Sequence, residues 1–266
     1  MICAVVPARN EAGRIGKVVA KLLSLPVDLT IVVVNGSTDG TWAEIKRFPP
    51  AKIKPVFFAP ALGVDVPRAI GAACALKSGA KATLFVDGDM HRVPLKVLRQ
   101  LAAAVTGGLD MGLTDCYPPD TPPAAEPLVQ QIVAYRRELN EALGLAQLGA
   151  ASPSHGPHAV SRRLLETVPL EEIAVPPVAL CLAARAGLRI GVAAHLPHAA
   201  LGSPPRSPLH SLRIAATIIG DYLEALAICR GLPRSREKDG VCYDGYNTAR
   251  RRDLLASFLR EMNNPV

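Results

Sequence analysis

Along the first 115 residues the hydrophobic pattern switches repeatedly between two forms. Short, mainly apolar runs at 2–6, 30–34, 54–58 and 83–86 alternate with stretches at 13–25, 41–48, 66–77 and 94–105 whose apolar residues recur at helical spacing. Ile15, Val18, Val19, Leu22 and Leu23 show the second form, three or four residues apart on one helix face. Residues 111–114 predict a fifth strand. A strand without polar alternation has no water-facing side, so these runs predict a parallel sheet with crossover helices on both faces. Local punctuation agrees: Asn35-Gly36 closes the second run, and Ser37, Thr38 and Asp39 offer N-caps for the helix over 41–48.

The pattern loosens beyond residue 115. Residues 117–127 are Pro-rich and predict a surface loop, and 126–143 read as a helix. A Ser/Pro/Gly loop at 149–157 is followed by a short apolar run and a helix over 162–167. Pro176-Pro177 opens a helix to about residue 186, at a position where a missing N–H costs little. A strand at 189–195, a breaker-rich loop at 197–208 and a long amphipathic helix over 209–229 come next. Residues 231–245 are polar and predict a mobile segment. A final helix over 247–263 carries Arg250-Arg251-Arg252. No internal repeat is present.

Composition narrows the class. The 266 residues can bury a sizeable core, and 49% hydrophobic with 20% charged residues is the balance of a folded globular protein. Aromatics are only 4%, which leaves the core to Ala, Val, Leu and Ile and suits helices packed on a sheet. A net charge of +7 favours anionic partners such as nucleotides or phosphorylated acceptors. Nucleic acid is disfavoured, because the basic residues are scattered and few aromatics could stack on bases. The six cysteines form no CxxC pair and no zinc-site spacing with His, so they read as reduced thiols of a cytoplasmic protein. No run approaches the roughly 18 apolar residues of a membrane span, so at most peripheral membrane contact is expected. The segments Arg234-Ser235-Arg236 and Arg250-Arg251-Arg252 read as solvated basic faces, with an anionic acceptor or surface as the alternative.

In a parallel α/β sheet ligands sit beyond the carboxyl ends of the strands. Three loops fall there: 7–11, 35–40 and 87–90. Asp87-Gly88-Asp89 directly follows an apolar strand, and its two carboxylates can converge on one hard cation if the chain turns at the glycine. The same tripeptide is also an ordinary turn composition. Asn35-Gly36-Ser37-Thr38-Asp39-Gly40-Thr41 is a strand end, a tight loop and a helix start whose N–H groups can meet an anion, or simply a capped helix. Pro7-Ala8-Arg9-Asn10-Glu11 projects polar residues from the same rim.

In this order and strand context the three motifs resemble the family 2 glycosyltransferases of GT-A fold, over roughly residues 1–115 and more thinly to about 195. The resemblance implies an α/β protein with a Rossmann-like, mostly parallel central sheet flanked by helices and a C-terminal helical extension. It divides the chain into a GT-A domain at 1–200, with a nucleotide-binding half at 1–115 and an acceptor half at 116–200. The extension at 201–266 packs on the same domain. It further implies transfer of a sugar from a UDP- or GDP-linked donor to a hydroxyl acceptor, with Mg²⁺ or Mn²⁺. A second copy of the chain is one further partner open to this reading.

Carried over by position, Pro7, Ala8, Arg9 and Glu11 would line the nucleoside pocket, and Asn35 and Ser37 would face the base. Gly63, with Asp65, lies on the loop before the basic position Arg68. Asp87, Gly88 and Asp89 would carry the ribose, diphosphate and metal contacts, with His195 completing the metal shell. Two positions depart from the family pattern. Val34 stands where an Asp commonly pairs with uracil, and Pro176-Pro177 stands where a Glu-Asp pair supplies the general base. Asp115, Glu171 or Glu172 would then serve as base, or configuration is retained and none is needed. His158 is the histidine expected at the catalytic centre. The alternatives are a GT-A protein that binds nucleotide-sugar without catalysis and a sugar nucleotidyltransferase. The latter lacks its Gly-rich, Arg-containing phosphate cradle in the first loop.

Overall fold

Alternate side chains of the first strand enter two different hydrophobic cores. In β1 (Ile2–Ala8), Cys3 and Val5 point to one core, while Ala4, Val6 and Ala8 point to the other. In β2 (Leu29–Asn35), Ile31 and Val33 join the first core and Val32 and Val34 the second. The computed structural model describes residues 1–118, 126–202 and 207–263. Between and after these strands come α1 (Ile15–Leu23), α2 (Thr41–Ile45), β3 (Ile53–Phe58), α3 (Val66–Lys77), β4 (Ala82–Phe85) and α4 (Leu95–Thr106). Then follow β5 (Met111–Asp115), α5 (Pro127–Ala142), β6 (His158–Ser161), α6 (Arg162–Thr167), α7 (Pro176–Arg185) and β7 (Ile190–His195). The chain closes with α8 (Pro208–Cys229), a hairpin of β8 (Glu237–Lys238) and β9 (Val241–Cys242), and α9 (Arg252–Asn263).

The large sheet has the order β3-β2-β1-β4-β6-β5-β7. β1 pairs in parallel with β2 and β4, β2 with β3, and β5 with β7, whereas β6 runs antiparallel to both β4 and β5. α1 and α4 cover one face, burying Ile15, Val18, Val19 and Leu22 and Val97, Leu98 and Leu101. α3, α5, α7 and α8 cover the other, where Ile70, Leu139, Val178 and Tyr222 share one core. β3 is one of the two edge strands, and its Pro55 removes an N–H where only one neighbour needs pairing.

The expected elements are present, with three informative differences. The sheet is mostly parallel because the four-residue β6 reverses. Its His158 pairs opposite Phe85, which brings the residues before β6 to the carboxyl end of β4. The segment 231–245, expected to be mobile, contains the β8–β9 hairpin and the buried Arg236. Arg236 donates to Asp221 at 2.7 Å and to Glu224 at 2.8 Å, so it is an ion-pair anchor rather than a solvated residue. The final helix begins only at Arg252, after a 3-10 turn at Asn247–Ala249, and Arg250 between them is buried. The loops expected at 117–127 and 197–208 extend partly outside the described residues.

Candidate functional site

The chain winds from β1 outward to β2 and β3 on one side and crosses to β4 on the other. The crevice that such a reversal opens lies at the carboxyl ends of β1 and β4. A cavity of about 440 Å³ occupies that place. After β1 it is lined by Pro7, Ala8, Arg9, Asn10 and Glu11, and at the end of β2 by Asn35. The loop leading into α3 adds Gly63, Val64, Asp65, Pro67 and Arg68, and the turn after β4 adds Asp87, Gly88 and Asp89. His210, in the first turn of α8, completes the lining.

The loop after β2 acts mainly as a brace for the loop after β1. Asn10 N donates to Ser37 Oγ at 3.1 Å, Glu11 N to Thr41 Oγ1 at 2.7 Å, and Ala12 N to Asp39 Oδ2 at 3.1 Å. In return Thr38 N donates to Asn10 Oδ1 at 2.9 Å, with Asn10 in the left-handed region at φ 54°. Burial opposes the Asp39 charge, but hydrogen bonds from Thr41 and Ala12 outweigh it and hold the carboxyl below its usual range. Asn35 is similarly committed: its Oδ1 accepts from Leu62 N at 2.5 Å and its Nδ2 donates to Gly63 O at 3.2 Å. Asn35 thus faces the cavity while fixing the α3 loop, and Ser37 stands behind the first loop rather than in the lining.

Arg68 organises the opposite wall. Its Nη2 donates to both oxygens of Asp87, at 2.9 and 2.8 Å, and its Nη1 donates to Pro153 O at 2.9 Å. Nε lies 3.4 Å from Asp65 Oδ1. Burial disfavours the guanidinium charge, yet Asp87 and Asp65 more than compensate and raise its pKa. The carboxyl of Asp65 is itself pushed up by burial, despite Arg68 and Arg250. Arg250 Nη2 reaches Asp65 at 3.4 Å, and Arg250 Nε donates to Val64 O at 3.2 Å. The C-terminal region therefore holds the same loop from behind. Gly63, at φ +89°, permits this approach, since a Cβ there would lie 2.5 Å from Ala249 O. Gly88 plays a matching part after β4: Gly88 N donates to Pro7 O at 3.0 Å, and a Cβ at that glycine would stand 3.2 Å from Glu11 Cγ.

Of the residues expected at the site, the structure brings ten into the cavity lining besides Asp89: Pro7, Ala8, Arg9, Glu11, Asn35, Gly63, Arg68, Asp87 and Gly88 as expected ligands, and Asp65 on the loop between them. Six others, Ser37 among them, lie outside the lining. Asp115 is buried at the end of β5, where its Oδ1 accepts from Tyr117 N at 2.9 Å. His195 is exposed, with Nδ1 3.7 Å from Asp115 Oδ2, and does not join the lining. Glu172 is paired with Arg234 at 2.6 Å in the 3-10 turn before α7. Its neighbour Glu171 shares that turn. His158 is buried in β6 and stacked on Phe85 at 4.8 Å, and burial with the Arg68 charge lowers its pKa to about 3. An imidazole so hard to protonate is a poor proton carrier near neutral pH.

One lining residue carried no usable sequence signal. His210 is a single histidine in a helix start, and only tertiary packing carries α8 across to the β1–β4 crevice. Its Nδ1 lies 3.0 Å from Tyr246 Oη, which fixes the ring. Among the described residues no group of three or more His, Cys, Asp or Glu is already gathered to hold a metal ion. Asp87, Asp89 and His210 all line the cavity, and their oxygen and nitrogen donors are of the kinds a divalent cation accepts. Both Asp87 oxygens already accept from Arg68.

Comparison with known proteins agrees with this architecture. The structure is similar to that of glucosyl-3-phosphoglycerate synthase from Mycobacterium tuberculosis, a GT-A protein. In its complex with Mn²⁺, uridine diphosphate and glucosyl-3-phosphoglycerate the TM-score is 0.62 at 21% identity, covering 89% of this chain and 82% of that one. For its complex with phosphoglyceric acid the values are 0.63 and 22%, with the same coverage. No curated protein matches the chain by sequence. Residues 3–121, the segment carrying all three rim motifs, match the model of the family described as Glycosyl transferase family 2.

Proposed function

We propose that this protein transfers a sugar from a UDP- or GDP-linked donor to a hydroxyl acceptor, with Mg²⁺ or Mn²⁺ in the donor site. The observation that carries this reading is the wall formed by Asp87, Asp89 and Arg68 at the crevice between β1 and β4, inside a family 2 segment. The solved relatives with Mn²⁺ and uridine diphosphate bound support the choice of ligand. The loop after β1 would hold the nucleoside. Arg68 would keep Asp87 oriented toward the ribose, and Asp89 with His210 would hold the cation. When bound, that cation would neutralise negative charge on the departing diphosphate.

None of the three residues expected to serve catalysis, Asp115, Glu172 and His158, lines the donor cavity. With Pro176-Pro177 at the start of α7, this favours transfer with retention, in which a departing phosphate oxygen takes the acceptor proton and no protein base is required. No helix among the described residues is long and apolar enough to cross a membrane, and a cytoplasmic location is proposed on the reduced cysteines.

Donor binding tests the reading directly. Calorimetry with UDP and GDP, each with and without Mn²⁺, should show metal-dependent binding that Asp89→Asn weakens by about a hundredfold, on the order of 3 kcal/mol. Equal metal-dependent affinity in wild type and variant would overturn the assignment. Metal-dependent binding with no release of nucleotide from any nucleotide-sugar would instead identify a binding protein without catalysis.

A further inference from the structure

A second polar cluster lies beside the donor cavity, at the carboxyl ends of β5 and β7 and just before β6. Its centre is Arg136 on α5, which is 2% exposed. Arg136 Nε and Nη1 are buried without a hydrogen-bond partner, and no ion pair joins Arg136 to a carboxylate among the described residues. Its surroundings are aromatic. The guanidinium carbon lies 5.6 Å from the centre of the Tyr117 ring. Tyr117 stacks on His155 at 5.4 Å, and His155 stacks on His198 at 5.0 Å. His198 Nδ1 and His155 Nε2 are 3.1 Å apart.

A buried guanidinium is ordinarily matched by a carboxylate, because an uncompensated buried charge costs several kcal/mol. Here the cationic neighbour works the other way on the imidazoles. Burial first, and then the Arg136 charge, hold both His155 and His198 below the usual histidine range, so both are neutral, and with one N–H spent between the rings the pair keeps one N–H to donate outward. One edge of a guanidinium fork and an adjacent imidazole N–H are donors that receive a carboxylate or phosphate. The cluster has a route to solvent, since His155 is half-buried and His198 exposed. It also touches the donor site: Arg68, which clamps Asp87, donates through Nη1 to Pro153 O, two residues before His155.

We infer that Arg136, His155 and His198 form a subsite for an oxyanion of the acceptor, a phosphate monoester or carboxylate carried near the hydroxyl that receives the sugar. The assignment of that oxyanion to the acceptor rests on the glycosyl-transfer reading; the subsite itself does not. The anion neutralises Arg136, and Tyr117 and the paired imidazoles form its walls.

The test uses the full chain and inorganic phosphate or acetate as probe, without metal. Wild type, Arg136→Met and His198→Ala are compared by calorimetry and thermal shift, and each is separately titrated with UDP or GDP and Mn²⁺. Phosphate is expected to bind wild type and raise its melting temperature, with affinity falling about tenfold or more in both variants. Metal-dependent nucleotide binding should stay as in wild type. Acetate competing as well as phosphate identifies a carboxylate site, and phosphate alone a phosphate-monoester site. Equal phosphate affinity in wild type and Arg136→Met, or no phosphate binding to wild type, overturns the inference and leaves Arg136 a structural residue satisfied by water. Should Arg136→Met fail to fold, the exposed His198→Ala decides: unchanged phosphate affinity there overturns it as well. Loss of the nucleotide signal in wild type would remove the donor reading without touching the phosphate comparison.

Discussion

At the scale of single residues, the same chemistry yields different roles according to what surrounds it. Four histidines illustrate this. His210 lines the donor cavity, His155 and His198 pair beside Arg136, and His158 is sealed in β6 against Phe85. Nothing in the sequence separates them, since each is a lone histidine near a loop. The sealed one makes a pH prediction. His158 is lowered to about 3 in the folded protein by burial and the Arg68 charge, from an ordinary value of 6.5. The unfolded chain then binds a proton that the native state refuses, so stability is full above pH 6.5 and falls as the pH drops toward 3. Over the first one and a half pH units this amounts to about 2 kcal/mol. His155, also held well below its ordinary value, adds in the same direction. Denaturant unfolding between pH 7 and pH 5 should show the loss, and His158→Phe, which keeps a ring against Phe85, should flatten it. An unchanged slope in that variant would place the acid sensitivity elsewhere.

At the scale of elements, short pieces set the geometry of the rim. The motif strands β1, β2 and β4 were legible because their runs are buried on both faces and end in turn residues. β6 was not legible as a reversed strand. Four residues of His-Ala-Val-Ser carry no direction, and direction follows from which neighbours accept them. Its far end is pinned by Ser161, whose Oγ accepts from Leu164 N at 3.1 Å as the cap of α6 and donates to Asp110 Oδ1 at 2.8 Å. Asp110 Oδ2 also accepts from Arg189 N at 2.9 Å, just before β7. Ser161→Ala should therefore cost about 1–2 kcal/mol, one cap plus one hydrogen bond to a charged group. A lower melting temperature with unchanged metal-dependent nucleotide binding is the expected outcome, because the cluster lies at the opposite end of the sheet from the cavity.

At the scale of the whole molecule, the C-terminal region belongs to the same packed body as the motif half. Ile219, Tyr222 and Leu226 of α8 and Leu255 of α9 share a core with Val5 of β1 and Ile70 of α3. Arg250 ties the two regions electrostatically, donating to Asp221 Oδ1 at 2.7 Å and Oδ2 at 2.6 Å while reaching Asp65 beside the cavity. Burial opposes its charge, but the Asp221 and Asp65 carboxylates outweigh it and raise its pKa. Arg250→Met should destabilise the protein by about 3 kcal/mol, since it removes one partner of a buried pair. It should also weaken nucleotide binding, because Val64 and Asp65 lose their support. Unchanged unfolding and unchanged affinity would mean that the loop is held by Arg68 alone.

The sequence by itself determined the strand–helix alternation, the rim at which the three motifs meet and the carboxylates of the turn after β4. Those features are local: periodicity, strand burial and turn chemistry act within a few residues of one another. Tertiary structure alone decided the direction of β6, the arrival of His210 at the cavity, the exclusion of Asp115, Glu172, His158 and His195 from its lining, and the burial of Arg136, Arg236 and Arg250. Each of these depends on a partner far along the chain. Whether a charged or titratable side chain is a ligand, an anchor or a buried spectator follows from that partner, not from its own neighbours in sequence.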